Sequence, residues 1–231
     1  MRKKAMSFLL GCIAWPLMAQ VAPLEGFYYG SMPAPTGWEW QSVDSLSLNK
    51  EQPHAWFFSF ENVEKARKVL PEHSAYWQSL DGEWAFHWAP NPDERPKNFF
   101  ETTYDVSNWD KVQVPMNWNI YGVQKDGSQK YGTPIYSNQR VIFAHKVAVN
   151  DWKKGVMREP AQDWPTFKHR NEVGSYRRTF TVPAHWANRK VYINFDGVDS
   201  FFYLWINGKY VGFSKNSRNL ASFNITKYLV E

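Results

Sequence analysis

The 231-residue sequence predicts an all-β protein: a β-sandwich preceded by an irregular lead-in with one short helix. Apolar side chains alternate with polar ones over several short stretches, as expected of half-buried strands. Turn signals separate these stretches at roughly 8–12-residue spacing, which is typical of a sandwich. Aromatic residues make up 18% of the chain, and they favour pleated surfaces. Such rings also suit sugar binding, although a core position is expected for most of them.

The N-terminus predicts a signal peptide over residues 1–19. Residues 1–4 (MRKK) are positively charged, and the apolar stretch 5–18 is too short to span a bilayer comfortably. Cleavage is expected after Ala19, so the protein is predicted to be exported to the periplasm or secreted. A buried N-terminal helix and lipoprotein processing at Cys12 are the alternatives. The latter ranks below ordinary cleavage because it leaves a very short apolar region.

Charge and cysteine content exclude several classes of function. The formal net charge is +5, but three of the 27 basic residues lie in the predicted leader, which leaves 24 against 22 acidic residues. This balance gives no support for nucleic-acid binding, which requires a clustered basic face. Cys12 is the only cysteine and lies in the leader. The mature chain is therefore expected to have no thiolate metal site, no cysteine nucleophile and no disulfide.

Residues 20–73 are predicted to form the irregular lead-in, because proline and glycine are frequent at its start. One short helix is predicted over residues 61–70, where Val63, Ala66, Val69 and Leu70 recur at helical spacing. Pro71 is expected to end it. No transmembrane span is predicted after the leader.

Residues 74–231 are predicted to form the sandwich. Its expected strands cover residues 76–80, 83–88, 111–114, 176–182, 190–195, 201–206 and 209–213. Asp81–Gly82 predicts a turn between the first two strands, and Asn207–Gly208 predicts a two-residue type I′ hairpin. A sandwich needs further strands to cover its edges, so we expect the domain to be incomplete at Glu231.

Searches for catalytic patterns in the sequence find no nucleophile elbow, phosphate loop or zinc-binding helix motif. The histidines are too dispersed for close metal-ligand spacing: His54, His73, His87, His145, His169 and His185. Asp196 and Asp199 are the nearest approach to the paired carboxylates of glycoside hydrolysis. Turn formation explains both better.

Seven motifs in the correct order give the sequence a resemblance to the sugar-binding domain of glycoside hydrolase family 2. SLDGEWAF at residues 79–86 is similar to that family's Ser-Leu-Asn-Gly-x-Trp-x-Phe, and VPMNW at 114–118 to its Val-Pro-Ser-Asn-Trp. GTPIYSN at 132–138 resembles its Tyr-Gly-x-Pro-Ile-Tyr-Thr-Asn and favours the β-galactosidase branch. The others lie at residues 171–178, 195–200, 204–214 and 217–218, and the NKE at 49–51 resembles the family's lead-in.

The resemblance implies a jelly-roll sandwich packed against a catalytic (β/α)₈ barrel that follows later in the chain. In that family the barrel supplies both catalytic Glu residues for retaining hydrolysis of terminal β-galactosides. Residues 1–231 are therefore expected to contain no catalytic group and to be inactive alone. A homo-oligomer and Mg²⁺ and Na⁺ sites are expected only of the full-length protein.

Asn138 is the one substrate-binding residue that the resemblance implies, through an amide that hydrogen-bonds galactose hydroxyls. Capping of a turn after Tyr136 is the alternative role. Three departures from the family pattern stand out: Ser137, Asp81 and an insertion at residues 121–130 that is expected to reshape the site. Two other functions remain open, a free-standing carbohydrate-binding module and a purely structural sandwich.

Overall fold

The computed structural model describes residues 44–132 and 171–230, together with Pro35, Gly37, Glu39, Trp40 and Ser42. The predicted signal peptide, Cys12 and Asn138 lie outside the described residues. Two short α-helices occur in the described part, α1 (Val63–Ala66) and α2 (Trp118–Tyr121). Single-turn 3₁₀ helices lie at Pro71–His73, Pro92–Glu94, Ala184–Trp186 and Thr226–Tyr228. The strands there are β1 (Ser47–Leu48), β2 (Gly82–Ala89), β3 (Asp110–Val114), β4 (Val173–Arg177), β5 (Tyr192–Phe195), β6 (Phe202–Ile206), β7 (Lys209–Ser214) and β8 (Ala221–Asn224).

The strands pair in antiparallel fashion, with the strand orders β1-β7-β6, β3-β2-β4 and β5-β8. Strands outnumber helices throughout the described residues, so the all-β prediction is confirmed. The jelly-roll connectivity stays a prediction.

The β6–β7 hairpin forms where the sequence predicted it. Asn207 and Gly208 have φ values of 50° and 77°, the positive angles that a type I′ turn requires. The Asn207 side chain also donates to the Tyr228 carbonyl at 2.8 Å, which ties the turn to the end of the described chain. The hairpin is therefore fixed both by its own backbone and by a long-range contact.

The main hydrophobic core lies between the β5–β8 pair and the β6–β7 hairpin, consistent with the predicted sandwich. Ile193 of β5 and Phe223 of β8 face each other in register, and Phe223 is fully buried. Leu204 and Ile206 of β6 pack into the same cluster. The intervening residues Tyr203 and Trp205 pack on the opposite face against Leu48, Tyr210 and Phe213. Both faces of β6 are therefore covered by apolar side chains.

The lead-in joins the sandwich through β1, whose residues pair with Ser214 and Phe213 of β7. Gly212 allows this approach, since a β-carbon there would lie 2.1 Å from the Leu48 carbonyl oxygen. Asn49 adds a side-chain hydrogen bond to the Val211 carbonyl at 2.7 Å. The family-like NKE segment at 49–51 therefore begins at a point of close backbone contact.

The predicted strand at 76–80 and the turn at Asp81–Gly82 are wrong. Residues 75–81 form no strand, and β2 begins at Gly82. Side chains satisfy the carbonyls that a strand would have used: Arg178 donates to Leu80 and Asp81 at 2.6 and 2.8 Å. Trp84 donates its indole N–H to the same Leu80 carbonyl at 2.8 Å. The strand predicted over residues 176–182 is displaced, since β4 runs from Val173 to Arg177.

The helix predicted over residues 61–70 shrinks to α1, a single turn capped by the Asn62 side chain. Its expected apolar face has no core to cover, because Val63, Val69 and Leu70 are 67%, 73% and 51% exposed. Helical spacing stabilises a short helix only when the apolar face packs against something. The chain leaves the helix before Val69, which adopts a positive φ of 67°.

Three of the strands and α-helices were not predicted, whereas five strands lie close to their predicted bounds. β1, β8 and α2 were not predicted, since each spans four residues or fewer and carries little periodicity. By contrast, five strands lie within one or two residues of their predicted bounds: β2, β3, β5, β6 and β7. Within residues 44–132 and 171–230, no helix has both the length and the apolar character that a membrane span requires.

Gly212→Ala is expected to destabilise the protein because the new methyl group would displace the Leu48 backbone. Overpacking of this kind costs about 2–3 kcal/mol, which corresponds to a fall in Tm of roughly 4–12 °C for a chain of this size. Calorimetry measures the change. Gly197→Ala is the matched control, since its β-carbon would lie 3.3 Å from the Ser217 carbonyl at an exposed position. Equal losses in the two variants would contradict the assigned contact.

Candidate sugar-contacting site

Asn138 lies outside the described residues, but the chain is described up to Gly132 and again from Asn171. Four residues on either side of this gap lie together, and we call them the motif base: Tyr131, Gly132, Glu172 and the Asn119 side chain that joins them. Asn119 follows the N-cap of α2 and donates from Nδ2 to the Tyr131 carbonyl at 3.1 Å. The same nitrogen lies 3.3 Å from Glu172 Oε2. One amide therefore holds both ends of the segment that contains Asn138.

Gly132 brings the two ends into direct contact. It is buried with a φ of 62°, and a β-carbon there would lie 2.1 Å from Glu172 Oε2. A residue with a side chain would be strained by that φ and would also have to move the Glu172 carboxylate. Position 132 therefore requires glycine for two independent reasons.

The motif base rests on a cluster of aromatic rings around Phe86 of β2, which is fully buried. The Phe86 ring centroid lies 5.0 Å from that of Tyr131, in an edge-on arrangement, and 4.8 Å from that of Tyr176. Trp118 of α2 completes the cluster at 5.9 Å from Phe86. Burial raises the pKa of Tyr176 to about 12, so this phenol stays neutral at physiological pH.

Gly174 of β4 allows Trp118 to reach this cluster. A β-carbon at Gly174 would lie 2.4 Å from the Trp118 ring and 2.8 Å from the Phe86 ring. The glycine therefore leaves the space that the indole fills, and α2 is held against the sheet directly before the motif base.

Asp110, the first residue of β3, anchors the motif base from the other side. Its carboxylate accepts from Lys130 Nζ and from the Tyr131 hydroxyl, each at 2.6 Å. Partial burial pushes the Asp110 pKa up, but the two hydrogen bonds and the Lys130 charge outweigh it and lower the pKa. Burial and the bond to Asp110 raise the pKa of Tyr131 to about 12.

The insertion at residues 121–130 forms a small, closed hairpin. Val123 and Gln129 form a β-bridge, and the Lys130 N–H donates to the Gly122 carbonyl at 2.8 Å. The two ends of the insertion therefore lie in contact, since a β-carbon at Gly122 would lie 2.8 Å from the Tyr131 nitrogen. The hairpin is exposed and contributes Lys130 to the ion pair with Asp110.

Asp196 and Asp199 are both exposed, outside any strand, and Asp199 lies 3.5 Å from Arg218 in an exposed ion pair. The turn role of both residues stays a prediction. Within the part of the chain that the structure describes, no three His, Cys, Asp or Glu side chains lie close enough to hold a metal ion.

Sequence reasoning missed Asp110, Asn119 and Glu172 as site-building residues. Glu172 belongs to the motif at 171–178, and Asn119 directly follows the motif at 114–118, so position beside a motif was an available signal. For Asp110 the only available signal was its position directly before the alternating stretch 111–114.

The fold and the site define the class: an all-β domain in which Tyr131 and Glu172, on either side of residues 133–170, meet beside an aromatic core. Residues 77–231 match the family model described as "Glycosyl hydrolases family 2, sugar binding domain". The chain belongs to glycosyl hydrolase family 2, and the matched part is its sugar-binding domain.

Two curated relatives carry the name β-galactosidase. The chain is 38% identical to that of Priestia megaterium over 194 residues, which is 84% of this chain and 17% of the relative. It is 32% identical to that of Halalkalibacterium halodurans over 191 residues, 83% of this chain and 17% of the relative. The match to each thus spans about one sixth of that protein's length.

Two solved structures are also similar. A β-glucuronidase from Bacteroides uniformis is 20% identical, with a TM-score of 0.41 over 66% of this chain and 13% of that chain. A β-glycosidase from Bacteroides vulgatus is 26% identical, with a TM-score of 0.39 over 66% of this chain and 15% of that chain.

The Asp110–Lys130 pair is expected to stabilise the fold in a pH-dependent way. Because the folded state lowers the Asp110 pKa, its contribution is present above the unfolded value of about 3.9 and is lost as pH falls through the folded value. A double-mutant cycle of Asp110→Asn and Lys130→Met, followed by urea unfolding, measures the coupling. Since the two side chains are 39% and 48% exposed, we expect less than about 1 kcal/mol at pH 7. A coupling that does not decrease once the Asp110 carboxylate is protonated in the folded state, as followed by NMR titration, would contradict the assignment.

Proposed function

We propose that the chain is the N-terminal sugar-binding part of an exported, β-galactosidase-like retaining glycoside hydrolase. Its substrate class is the terminal non-reducing β-D-galactose residue. Membership of the family and the names of the two curated relatives support this proposal. The matches cover only 17% of each relative, so the proposed whole protein is several times longer than the chain.

The proposed division of labour assigns binding to this domain and bond cleavage to a (β/α)₈ barrel elsewhere in the complete protein. Retaining hydrolysis needs two carboxyl groups about 5–5.5 Å apart, one as nucleophile and one as acid/base. The exposed Asp196 and Asp199, with Asp199 beside Arg218, do not suit these roles. The chain alone is therefore proposed to be inactive.

Asn138 is the proposed contact with the galactose residue. Its amide offers two N–H donors and a carbonyl acceptor, so one side chain can serve neighbouring hydroxyl groups of opposite hydrogen-bonding sense. The observation that carries this role is the Asn119 bridge, which holds Tyr131 and Glu172 together at the two ends of residues 133–170. Fixed flanking residues limit the conformations available to the chain between them, which lowers the entropy lost on binding a ligand.

Three further parts of the proposal concern the complete protein. Export rests on the basic start and the short apolar stretch of residues 1–19. A homo-oligomer and a requirement for Mg²⁺ or Na⁺ rest on the family resemblance alone. No step of the binding proposed for Asn138 depends on either.

Asn138→Ala in the complete gene product is expected to lower kcat/KM for p-nitrophenyl β-D-galactoside by about 2- to 10-fold, the range for one lost neutral hydrogen bond. Steady-state kinetics measures the change. The exposed Asn216→Ala is the matched control and should leave kcat/KM unaltered. A purely structural sandwich predicts unchanged activity for both variants, and that result would overturn the role of Asn138.

The enzyme assignment is tested separately by comparing residues 20–231 with the complete gene product in the same assay. Hydrolysis by the complete product and none by residues 20–231 is the expected result. If the complete product lacks activity while residues 20–231 bind galactosides, the protein is a carbohydrate-binding module and the hydrolase proposal fails.

A further inference from the structure

A cavity of about 230 Å³ opens beside Asp110, among the residues that the structure describes. It arises because β3 and β2 differ in length: β3 begins at Asp110, opposite Phe86, whereas β2 continues to Ala89. The space that β3 leaves beside the end of β2 is lined by His87, Asn108, Trp109, Asp110, Lys130 and Tyr131, among others. We call it the Asp110 cavity.

The Asp110 cavity has a preorganised aromatic wall. The Trp109 ring lies 5.4 Å from His87, 5.9 Å from Phe99 and 6.0 Å from Tyr104, measured between ring centroids. The Trp109 backbone is fixed as well, since its N–H donates to the Val106 carbonyl at 3.0 Å. A ring held on several sides offers a flat apolar surface at little entropic cost on binding.

The polar groups of the Asp110 cavity are also fixed, and their charges cancel. Asp110 is bonded to Lys130 and Tyr131 at 2.6 Å each, and each carboxylate oxygen retains a free lone pair for a ligand. Lys130 adds further N–H donors, and the Asn108 amide supplies both a donor and an acceptor. A neutral ion pair attracts neither anions nor cations strongly, whereas mixed donors and acceptors suit hydroxyl groups.

We propose that the Asp110 cavity binds one neutral sugar residue, with its apolar face against Trp109 and its hydroxyl groups on Asp110, Lys130 and Asn108. The volume fits a single ring, because it lies below the roughly 300–1,000 Å³ of pockets for drug-sized ligands. Part of the site comes from the 121–130 insertion, which supplies Lys130. The inference does not depend on Asn138. A small, open site of this kind binds with a Kd on the order of 1 mM.

The test follows the tryptophan indole N–H signals of the full chain by NMR during titration with methyl β-D-galactopyranoside, up to about 50 mM to approach saturation. Trp109→Phe identifies the Trp109 signal. We expect that signal to shift with saturation, and Lys130→Met to weaken binding at least about 10-fold, because a charged hydrogen-bond partner is lost. Lys125→Met is the matched control, since Lys125 is exposed on the same hairpin and does not line the cavity.

Several outcomes would overturn the proposal. An unmoved Trp109 signal excludes binding at the cavity, and equal effects of the two lysine variants exclude a role for Lys130. Tighter binding of galacturonate or galactosamine than of the neutral galactoside would refute the neutral ligand class. Asn138→Ala should leave the Trp109 shift intact, so a loss there would assign the binding to Asn138 instead. Far-UV circular dichroism of Lys130→Met verifies that the variant is folded.

Discussion

The packing of rings around Phe86 is the constraint on which the site depends. Phe86 is fully buried in β2, the strand that pairs with both β3 and β4. Its ring contacts Tyr131 before the segment 133–170 and Tyr176 after it. A change in the volume of Phe86 would therefore be felt at both ends of that segment together, because close-packed interiors transmit strain.

Polar contacts add directional constraints to the residues that the ring packing positions. Asn119 bridges the two ends of the segment, and Asp110 fixes Lys130 and Tyr131. These contacts are specific in direction, whereas ring packing mainly fixes distance. The hairpin at residues 123–130 is added without disturbing this arrangement, since it closes between Gly122 and Tyr131. An insertion whose two ends lie in contact adds new surface without changing the geometry of the residues around it.

The sequence correctly predicted the elements whose structure depends on neighbouring residues. Asn207–Gly208 needs only its own backbone preferences to form a hairpin, and the alternation at residues 111–114 describes a strand with one buried face. The sequence-based prediction failed where the structure depends on side chains that are distant in the chain. Arg178 donates to the carbonyls of Leu80 and Asp81 from about a hundred residues away, and the predicted strand is absent there. The motif order located the segment of Asn138, but the residues that hold its base are joined only by the fold.

The contact between β1 and Gly212 has a consequence for the order of folding. Asn49 and Val211 are bonded across 162 residues, whereas β6 and β7 are joined by a two-residue turn. Closing the longer loop costs more entropy, so the β6–β7 hairpin is expected to form before β1 pairs with it. Until then one edge of the hairpin is unpaired. An unpaired edge invites association with other chains. The short lead-in strand pairs with the Phe213–Ser214 end of β7 and so covers this part of the edge against intermolecular pairing.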